Sequence, residues 1–419
     1  MKNSSKEGFM SKQEERRPSI RFKGYTEPWE QRKLGEVAER VTRKNKNLES
    51  ELPLTISAQY GLINQETFFN KKVASKDVSG YYLLKKGEFA YNKSYSSDYP
   101  WGAVKRLDNY EMGVLSTLYI VFRPNSIDSD FLAVYYDSPK WHKEFSMRAA
   151  EGARNHGLLN ISPQDFFDTE LMFPVNHSEQ AAIGSFFQEL DQLITLQQRE
   201  LELMKEGKKT LLSKMFPKDG ENFPEIRFPG FTNAWEQRKL GEVLSERNIQ
   251  EVPTAQIPLV SFTVEQGVTP KTERYNREFL VREETKKYKY TKYNDIVYNP
   301  ANLKFGAIAR NKYGEAFFSP IYVTFEANYS NVLPEFIEKI LTSNDFIQKA
   351  LKFQEGTVYE RMAVKADDFL KLVIKLPSVP EQAAIGSFFQ ELDQLITLQQ
   401  RELEILKTMK STLLKAMFA

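Results

Sequence analysis

One stretch of this chain occurs twice without a single difference. The sequence EQAAIGSFFQELDQLITLQQRELE runs from Glu179 to Glu202 and again from Glu381 to Glu404. It contains no proline and is rich in Leu, Gln and Glu, which are good helix formers. The repeat constrains the fold strongly, because whatever structure the first copy forms, the second copy is expected to form too.

Apolar residues follow a heptad rhythm in both copies, which is typical of helices that pair along one seam. About 35 residues at 1.5 Å rise make a helix of roughly 50 Å, and such a helix with one apolar seam is not stable alone in water. Pairing of the two copies with each other is favoured, while an ordinary helical hairpin and a homodimeric coiled coil remain open. The predicted pairing residues are Ile183, Phe187, Leu190, Ile194, Gln197, Leu201, Ile385, Phe389, Leu392, Ile396, Gln399 and Leu403.

A second repeat precedes each copy of the first. The sequence WEQRKLGEV begins at Trp29 and again at Trp235, so the chain has two halves of similar organisation. A period of roughly 200 residues indicates a duplicated domain, since solenoid repeats are much shorter. The predicted map has a disordered tail at 1–19, a first domain at 20–178, a helix at 179–217, a linker and second domain at 218–380, and a helix at 381–419.

The segments between the repeats differ in sequence but share landmarks. Tyr91-Asn92 corresponds to Tyr298-Asn299, and Glu151-Gly152 corresponds to Glu355-Gly356. Short β-rich runs are broken by Gly, Asn, Asp and Pro, and each segment holds one amphipathic helical pattern. The sequence therefore predicts an α+β protein with two similar domains of mixed α and β structure, joined by two long helices in a pseudo-two-fold internal repeat.

Composition and motifs argue against catalysis. The chain has no cysteine and three scattered histidines, so thiolate and histidine-pair metal sites are not expected. No phosphate-binding loop and no GxSxG nucleophile motif occurs. No apolar run is long enough for a membrane span or a signal peptide. We expect a cytoplasmic protein with no membrane partner.

Binding through surface loops is the remaining hypothesis. Several loops combine basic, amide and aromatic side chains, which can neutralise phosphates and pair with base edges. Each loop taken alone is better explained as an ordinary solvated surface, but together the loops favour binding because they recur at corresponding places in both domains. The candidate DNA-binding residues are Lys44, Lys46, Gln59, Tyr60, Asn92, Lys93, Tyr95, Arg154, Asn155, His156, Gln266, Lys271, Asn299, Asn302, Lys304, Tyr359 and Arg361.

The motifs WEQRKLGEV and EQxAIGxFFxxLDxLI, each present twice, resemble those of the specificity subunits of type I restriction–modification enzymes. The resemblance covers essentially the whole chain after the tail. It implies that the two segments are target recognition domains, each reading one half of a bipartite DNA target. It also implies that the two helices pack as an antiparallel coiled coil and set the length of the unread spacer.

The resemblance implies partners as well. Two modification subunits would bind S-adenosylmethionine and methylate adenine, and two restriction subunits would supply ATP- and Mg-dependent translocation and nuclease activity. This chain would carry no cofactor and no catalytic residue. Two alternatives remain: a non-catalytic structural or interaction protein with paired globular heads on a coiled-coil rod, and a fused enzyme with a novel site. The first predicts no DNA affinity, and the second predicts a buried acid or base with a shifted pKa.

The helix register gives the first testable prediction. If the helices pair antiparallel with full overlap, facing residue numbers add to about 600, and Gln197 and Gln399 lie close together. A glutamine pair within an apolar seam lowers stability but fixes the register. Replacing both with leucine is expected to stabilise the chain and to loosen spacer selection. Cysteines at 197 and 399 should form a disulfide under oxidation, whereas cross-linking of a shifted pair instead would contradict this register.

Overall fold

The computed structural model describes residues 17–57, 60–71, 73–94, 99–148, 159, 161–254, 256–264, 266–270, 286–355 and 363–418. They divide into two compact units. The first unit comprises the described residues of Met1–Arg199 together with Arg401–Ala419, and the second comprises those of Glu200–Gln400. Each unit thus contains one domain and a part of each long helix.

The first unit contains ten short strands and five short helices among its described residues, followed by part of a long helix. The strands are β1 (Glu30–Lys33), β2 (Ala38–Arg40), β3 (Leu54–Ser57), β4 (Gly61–Asn64), β5 (Tyr82–Lys85), β6 (Phe89–Asn92), β7 (Ala103–Arg106), β8 (Met112–Leu115), β9 (Ile120–Pro124) and β10 (Glu170–Phe173). The helices are α1 (Leu34–Val37), α2 (Gln65–Phe69), α3 (Ser129–Asp137), α4 (His142–Arg148), α5 (Pro163–Phe167) and the long α6 (His177–Lys214).

The second unit repeats this order. Its strands are β11 (Glu236–Lys239), β12 (Leu244–Glu246), β13 (Gln250–Glu251), β14 (Val260–Thr263), β15 (Gly267–Pro270), β16 (Tyr288–Thr291), β17 (Ile296–Tyr298), β18 (Ile308–Arg310), β19 (Ala316–Phe318), β20 (Val323–Ala327) and β21 (Val373–Leu376). Its helices are α7 (Leu240–Val243), α8 (Pro334–Leu341), α9 (Asn344–Leu351), α10 (Ala366–Leu370), the long α11 (Val379–Ala416) and a 3-10 turn at Leu303–Phe305.

An antiparallel four-stranded sheet forms the centre of each domain, in the order β2-β9-β6-β7 in the first and β12-β20-β17-β18 in the second. The registers correspond, since Tyr91 faces Ile120 and Tyr298 faces Val323. Two-stranded hairpins, β3–β4 and β14–β15, lie at corresponding places in the chain. The predicted α+β fold with two similar domains is confirmed.

Aromatic side chains fill the core of each domain between the central sheet and the surrounding helices. In the first, Tyr91 stacks on Phe166 with ring centroids 5.0 Å apart. In the second, Tyr298 stacks on Phe369 at 4.7 Å. Both tyrosines are fully buried, and each hydroxyl donates to a backbone carbonyl, so the polar end of each ring is satisfied.

The long helices run antiparallel in each unit. In the first unit Phe187 contacts Phe418 with ring centroids 6.3 Å apart, while Asp191 accepts a 2.6 Å bond from Lys410. Residue numbers therefore rise along α6 as they fall along α11. The second unit repeats the arrangement with Phe389 against Phe216, and with Asp393 paired to Lys208. In each unit, the residue numbers of the two phenylalanines add up to one total, and those of the aspartate and lysine add up to another. Both totals are the same in the two units and are close to the expected value of about 600.

Most residues predicted for the helix seam are buried. Ile183, Phe187 and Leu190 belong to the first core, and Ile385 and Phe389 belong to the second. Lys208 and Lys410, which fall at heptad positions of the two helices, are each ion-paired to an aspartate of the other helix. The full set divides into the buried Ile183, Phe187, Leu190, Leu201, Ile385, Phe389, Ile396 and Leu403, and the half-buried Ile194, Gln197, Leu392 and Gln399.

A buried ion pair joins the start of α6 to the preceding repeat. Glu179 is almost fully buried, and its two carboxylate oxygens accept bonds of 2.6 and 2.7 Å from the Arg21 guanidinium. The indole nitrogen of Trp29 donates to the same carboxylate at 3.4 Å. A buried carboxylate needs this number of charge-assisted bonds to offset its loss of hydration.

The second unit has the same cluster. Arg227 donates two bonds of 2.7 Å to Glu381, and the Trp235 indole donates a third at 3.4 Å. In both units the segment that carries this arginine also bonds to the end of the other long helix. The Ile20 amide donates to Ala416, and the Ile226 amide donates to Lys214, each at 3.0 Å.

The next residues of the repeat fasten each long helix to its domain. The Gln180 side chain accepts from the Asp128 amide at 2.8 Å, and Gln382 accepts from the Leu333 amide at 3.0 Å. Gly184 lies so close to α3 that a β-carbon there would meet the Asp130 β-carbon at 2.6 Å. The glycine in an otherwise strongly helical sequence is therefore explained by close packing. No helix in the described part of the chain is long and apolar enough to cross a membrane.

The buried ion pair yields a stability prediction. Glu179→Ala leaves the largely buried Arg21 without its carboxylate and is expected to lower the free energy of unfolding by about 3 kcal/mol. Urea unfolding followed by tryptophan fluorescence measures this, because Trp29 contacts the same carboxylate. Glu202→Ala changes an exposed glutamate of α6 and serves as the control, with an expected change within about 0.5 kcal/mol. Equal effects of the two substitutions would contradict the role of the cluster.

Candidate nucleic-acid interface

Three loops of the second domain meet at one edge. The ring of Phe262 on β14 lies 5.9 Å from the ring of Tyr322, which follows the β19–β20 turn. Gly306 has a φ of +83°, and a β-carbon there would meet Val264 at 3.5 Å. We call this surface the second loop face; its described exposed members are Val264, Gln266, Asn302, Lys304, Phe305 and Ile321.

Asn299 does not belong to the exposed surface. It is 5% exposed, and its side-chain oxygen accepts a bond from the Ala301 amide at 3.1 Å. Burial raises the pKa of the neighbouring Tyr322 hydroxyl, and its interaction with the Asn299 side chain offsets part of that rise. The side chain of Asn299 therefore helps to hold its own loop, and its contact with DNA stays a prediction.

The loop after Asn299 presents a cation and an aromatic ring side by side. The Lys304 ammonium lies 4.9 Å from the centre of the Phe305 ring, and Phe305 is 64% exposed. Asn302 is exposed, and its carbonyl accepts from the Phe305 amide at 3.0 Å. This arrangement offers a charge to phosphates and a flat apolar surface to bases.

The first domain has a corresponding surface, which we call the first loop face. Tyr60 at the β3–β4 tip and Leu118 in the β8–β9 turn are both strongly exposed. The hairpin, strand β6 and the turn share one small core that includes Ile56, Ala90 and Leu115, with Tyr119 packed against it. The described members of the first loop face are Lys44, Lys46, Tyr60, Asn92, Lys93 and Leu118.

Lys93 has a structural role beside its charge. Its ammonium donates to the Ile161 carbonyl at 2.7 Å, and its own carbonyl accepts from the Leu159 amide at 2.9 Å. Burial, together with the nearby Arg40 charge, lowers the pKa of Lys93. Asn92 lies just before it, half-buried, and accepts from the Ser94 amide at 3.0 Å. The two Lys93 bonds attach Leu159 and Ile161 to the end of β6.

Lys44 and Lys46 lie on a neighbouring loop. Lys44 bridges to Tyr82, with its ammonium 4.0 Å from the centre of the Tyr82 ring. Tyr82 in turn pairs with Leu115, the residue before the β8–β9 turn. Lys46 is exposed and follows Asn45, whose buried amide donates to the Ser50 carbonyl at 2.8 Å. Lys44 is therefore connected through β5 to β8, the strand that leads into the turn with Leu118.

Several candidate residues lie outside the described part of the chain, and their assignment to DNA stays a prediction. They are Gln59, Tyr95, Arg154, Asn155, His156, Lys271, Tyr359 and Arg361. The segment that contains Tyr359 and Arg361 is bounded by Glu355 and Ala363. These two residues exchange backbone hydrogen bonds of 3.0 and 2.9 Å.

Sequence reasoning missed the apolar members of both faces. Leu118, Val264 and Ile321 are large, aliphatic and exposed, whereas the candidates were basic, amide and aromatic residues; the exposed aromatic Phe305, beside the candidate Lys304, was missed as well. One sequence signal could have found two of them. Ser116 corresponds to Ser319, and each serine is followed two residues later by an aliphatic residue and then by a tyrosine. Among the residues with described positions, no group of His, Asp and Glu is arranged to hold a metal ion.

Comparison with known proteins supports a family assignment. Residues 26–206 match the sequence model of the type I restriction modification DNA specificity domain. None of the curated proteins matches the sequence.

Two solved structures share the fold over nearly the whole chain. One is the crystal structure of the S subunit of a type I restriction-modification system from M. genitalium, with 16% identity and a TM-score of 0.59, covering 96% of this chain and 99% of the other. The other comes from a study of complex assembly and conformational transition in the type I R-M system, with 16% identity and a TM-score of 0.51, covering 94% of this chain and 99% of the other.

The matched region contains one copy of each repeat, and the second half of the chain carries the other copies. The fold is likewise shared over both halves. The first half of the chain is therefore similar to the DNA specificity domain of type I restriction–modification systems, and both halves share the fold of an S subunit of such a system.

Proposed function

We propose that each loop face binds one half of a bipartite duplex DNA target. The observation that carries this proposal is the recurrence of one arrangement in two domains of different sequence. A hairpin tip, a β-turn and the end of the central strand meet at the same edge of each domain. A shared framework with different side chains is what two readers of different base sequences require.

The charges on the loop faces support DNA as the ligand. Lys46 and Lys304 are exposed, and neither forms an ion pair with another residue of the described chain. Their charges are therefore available to phosphate groups, which contribute most of the affinity of proteins for duplex DNA. The amides of Gln266 and Asn302 on the second loop face have the chemistry to pair with an adenine edge.

The exposed sides of the long helices support a partner protein. Leu196 is 60% exposed and its repeat equivalent Leu398 is 57% exposed, and Leu193 and Leu395 are exposed beside them. We infer that these leucines dock modification subunits. Because residues 179–202 and 381–404 are identical in sequence, one kind of subunit can dock twice, so two modification subunits are expected on one specificity chain.

The cofactors of the assembly belong to the partners in this proposal. The modification subunits would bind S-adenosylmethionine and methylate adenine, and two restriction subunits would use ATP and Mg²⁺. The long helices would set the number of unread base pairs between the half-sites. The specificity chain contributes DNA recognition and the scaffold for assembly.

Exchange of one domain tests the division of recognition. Replacing residues 44–173 with the corresponding segment of another specificity subunit is expected to change the first half-site alone. The second half-site and the spacer length should stay the same, because their determinants lie elsewhere in the chain. Sequencing of methylated adenines in cells that also express the modification subunit gives the answer. A change in both half-sites would contradict modular reading.

A single lysine tests the phosphate contact. Lys304→Ala is expected to weaken binding to all duplexes by a similar factor and to reduce the salt dependence of binding by about one unit of slope. The measurement is a titration of fluorescent duplex DNA at several salt concentrations, with the modification subunit present. Lys239→Ala removes an exposed lysine on β11 and should change neither quantity. An unaltered slope for Lys304→Ala would remove this residue from the interface.

A further inference from the structure

Two exposed aliphatic side chains occupy the same place in the two domains. Leu118 is 67% exposed in the turn Ser116–Tyr119, and Ile321 is 58% exposed in the turn Ser319–Tyr322. In both turns the amide of the tyrosine donates to the carbonyl of the serine, at 3.2 and 3.1 Å. Leu118 and Ile321 are therefore each the third residue of a hydrogen-bonded β-turn.

Such residues are unusual at this position. Turn positions favour Gly, Pro, Asn, Asp and Ser, and a large aliphatic side chain held out in water contributes nothing to the core. A single exposed apolar residue needs no explanation. The recurrence of one at the same turn position, in two domains whose loops otherwise differ, indicates a ligand that both domains share.

Both turns are held rigidly. Tyr322, which follows Ile321, is held by contacts of its ring with the Phe318 ring at 4.9 Å and the Phe262 ring at 5.9 Å. Tyr119, which follows Leu118, packs against the core of its own domain. A side chain on a rigid turn loses little conformational entropy on binding, which suits a specific contact.

The surroundings of the two turns indicate which ligand they contact. Ile321 belongs to the second loop face with Gln266, Lys304 and the β14–β15 hairpin, and Leu118 belongs to the first with Tyr60 and the β3–β4 hairpin. The major groove of B-DNA admits a two-stranded ribbon of this kind. A hairpin placed in the groove would bring the neighbouring turn to the base edges.

We propose that Leu118 and Ile321 each contact the C5-methyl group of a thymine in the half-site that their own domain binds. The thymine methyl is the apolar group that the major groove presents, so it is the natural partner of an aliphatic side chain among polar neighbours. The inference rests on the proposed binding of duplex DNA by the two loop faces.

The test replaces thymine with deoxyuridine, which removes only the methyl group. The chain is prepared in complex with its modification subunit, and the target is first read from methylated adenines in genomic DNA. Duplexes with one thymine replaced at a time are then titrated. For the unaltered chain, one replacement in each half-site is expected to weaken binding about fourfold, as for the loss of one buried methyl group.

The two side chains act as controls for each other. Ile321→Ser should abolish the loss of binding affinity that deoxyuridine causes in the second half-site and leave the loss in the first half-site unchanged. Leu118→Ser should do the reverse. Ile321→Leu keeps an aliphatic side chain and should retain the cost in both. Val373→Ser, which removes an exposed aliphatic side chain on β21, should change nothing.

Separate outcomes overturn the contact and the proposed function. The thymine contact is wrong if the unaltered complex binds its target but deoxyuridine weakens binding by the same factor in the serine variants. It is also wrong if deoxyuridine weakens binding at no position. If the unaltered complex shows no preference for any duplex, the proposed function itself fails. Because both residues are exposed, the serine variants should unfold at the temperature of the unaltered chain, so a loss of folding would be seen directly.

Discussion

The buried carboxylate at the start of each long helix is the contact on which the rest of each unit depends. Glu179 and Glu381 are almost fully buried, and each is neutralised by one arginine and accepts a further hydrogen bond from a tryptophan indole. A charge in such surroundings has few acceptable partners, so the arginine, the tryptophan and the glutamate must occur together. This explains physically why both repeats occur in each half of the chain, although the sequences between them differ.

The contacts between each long helix and its domain are similar in the two units, so the sequences of the loop faces can differ. In the first unit Lys410 contacts both Asp191 of the partner helix and Asp137 of α3, at 2.6 and 3.6 Å. In the second unit Asp393 contacts both Lys208 and Lys339 of α8. The helices thus present an identical Asp–Lys pair, to which one domain adds an acid and the other a base. In both units these charged side chains, which lie where the helices meet the domain, are paired. The pairs do not involve the turns and hairpins of the loop faces.

Periodic features were predictable and single loop positions were not. The heptad spacing from Ile183 to Leu190 and its copy identified the helices, because burial of one helix face imposes a period on the sequence. For Asn299, the sequence context shows an amide in a loop but not that the side chain is buried and bonded to the Ala301 amide. Leu118 and Ile321 were missed because an aliphatic residue between strands is expected in a core. Their exposure depends on turn geometry, which has no period.

The first unit consists of two separate parts of the chain, and this affects the order in which the two domains can finish folding. The second unit is one continuous segment, Glu200–Gln400, so all of it has been synthesised before the last residues of the chain appear. The core around Trp29 and Phe131 in the first unit includes Leu414, Met417 and Phe418. The domain that is translated first therefore stays incomplete until these three residues have been synthesised, and the domain that is translated second can finish folding before it.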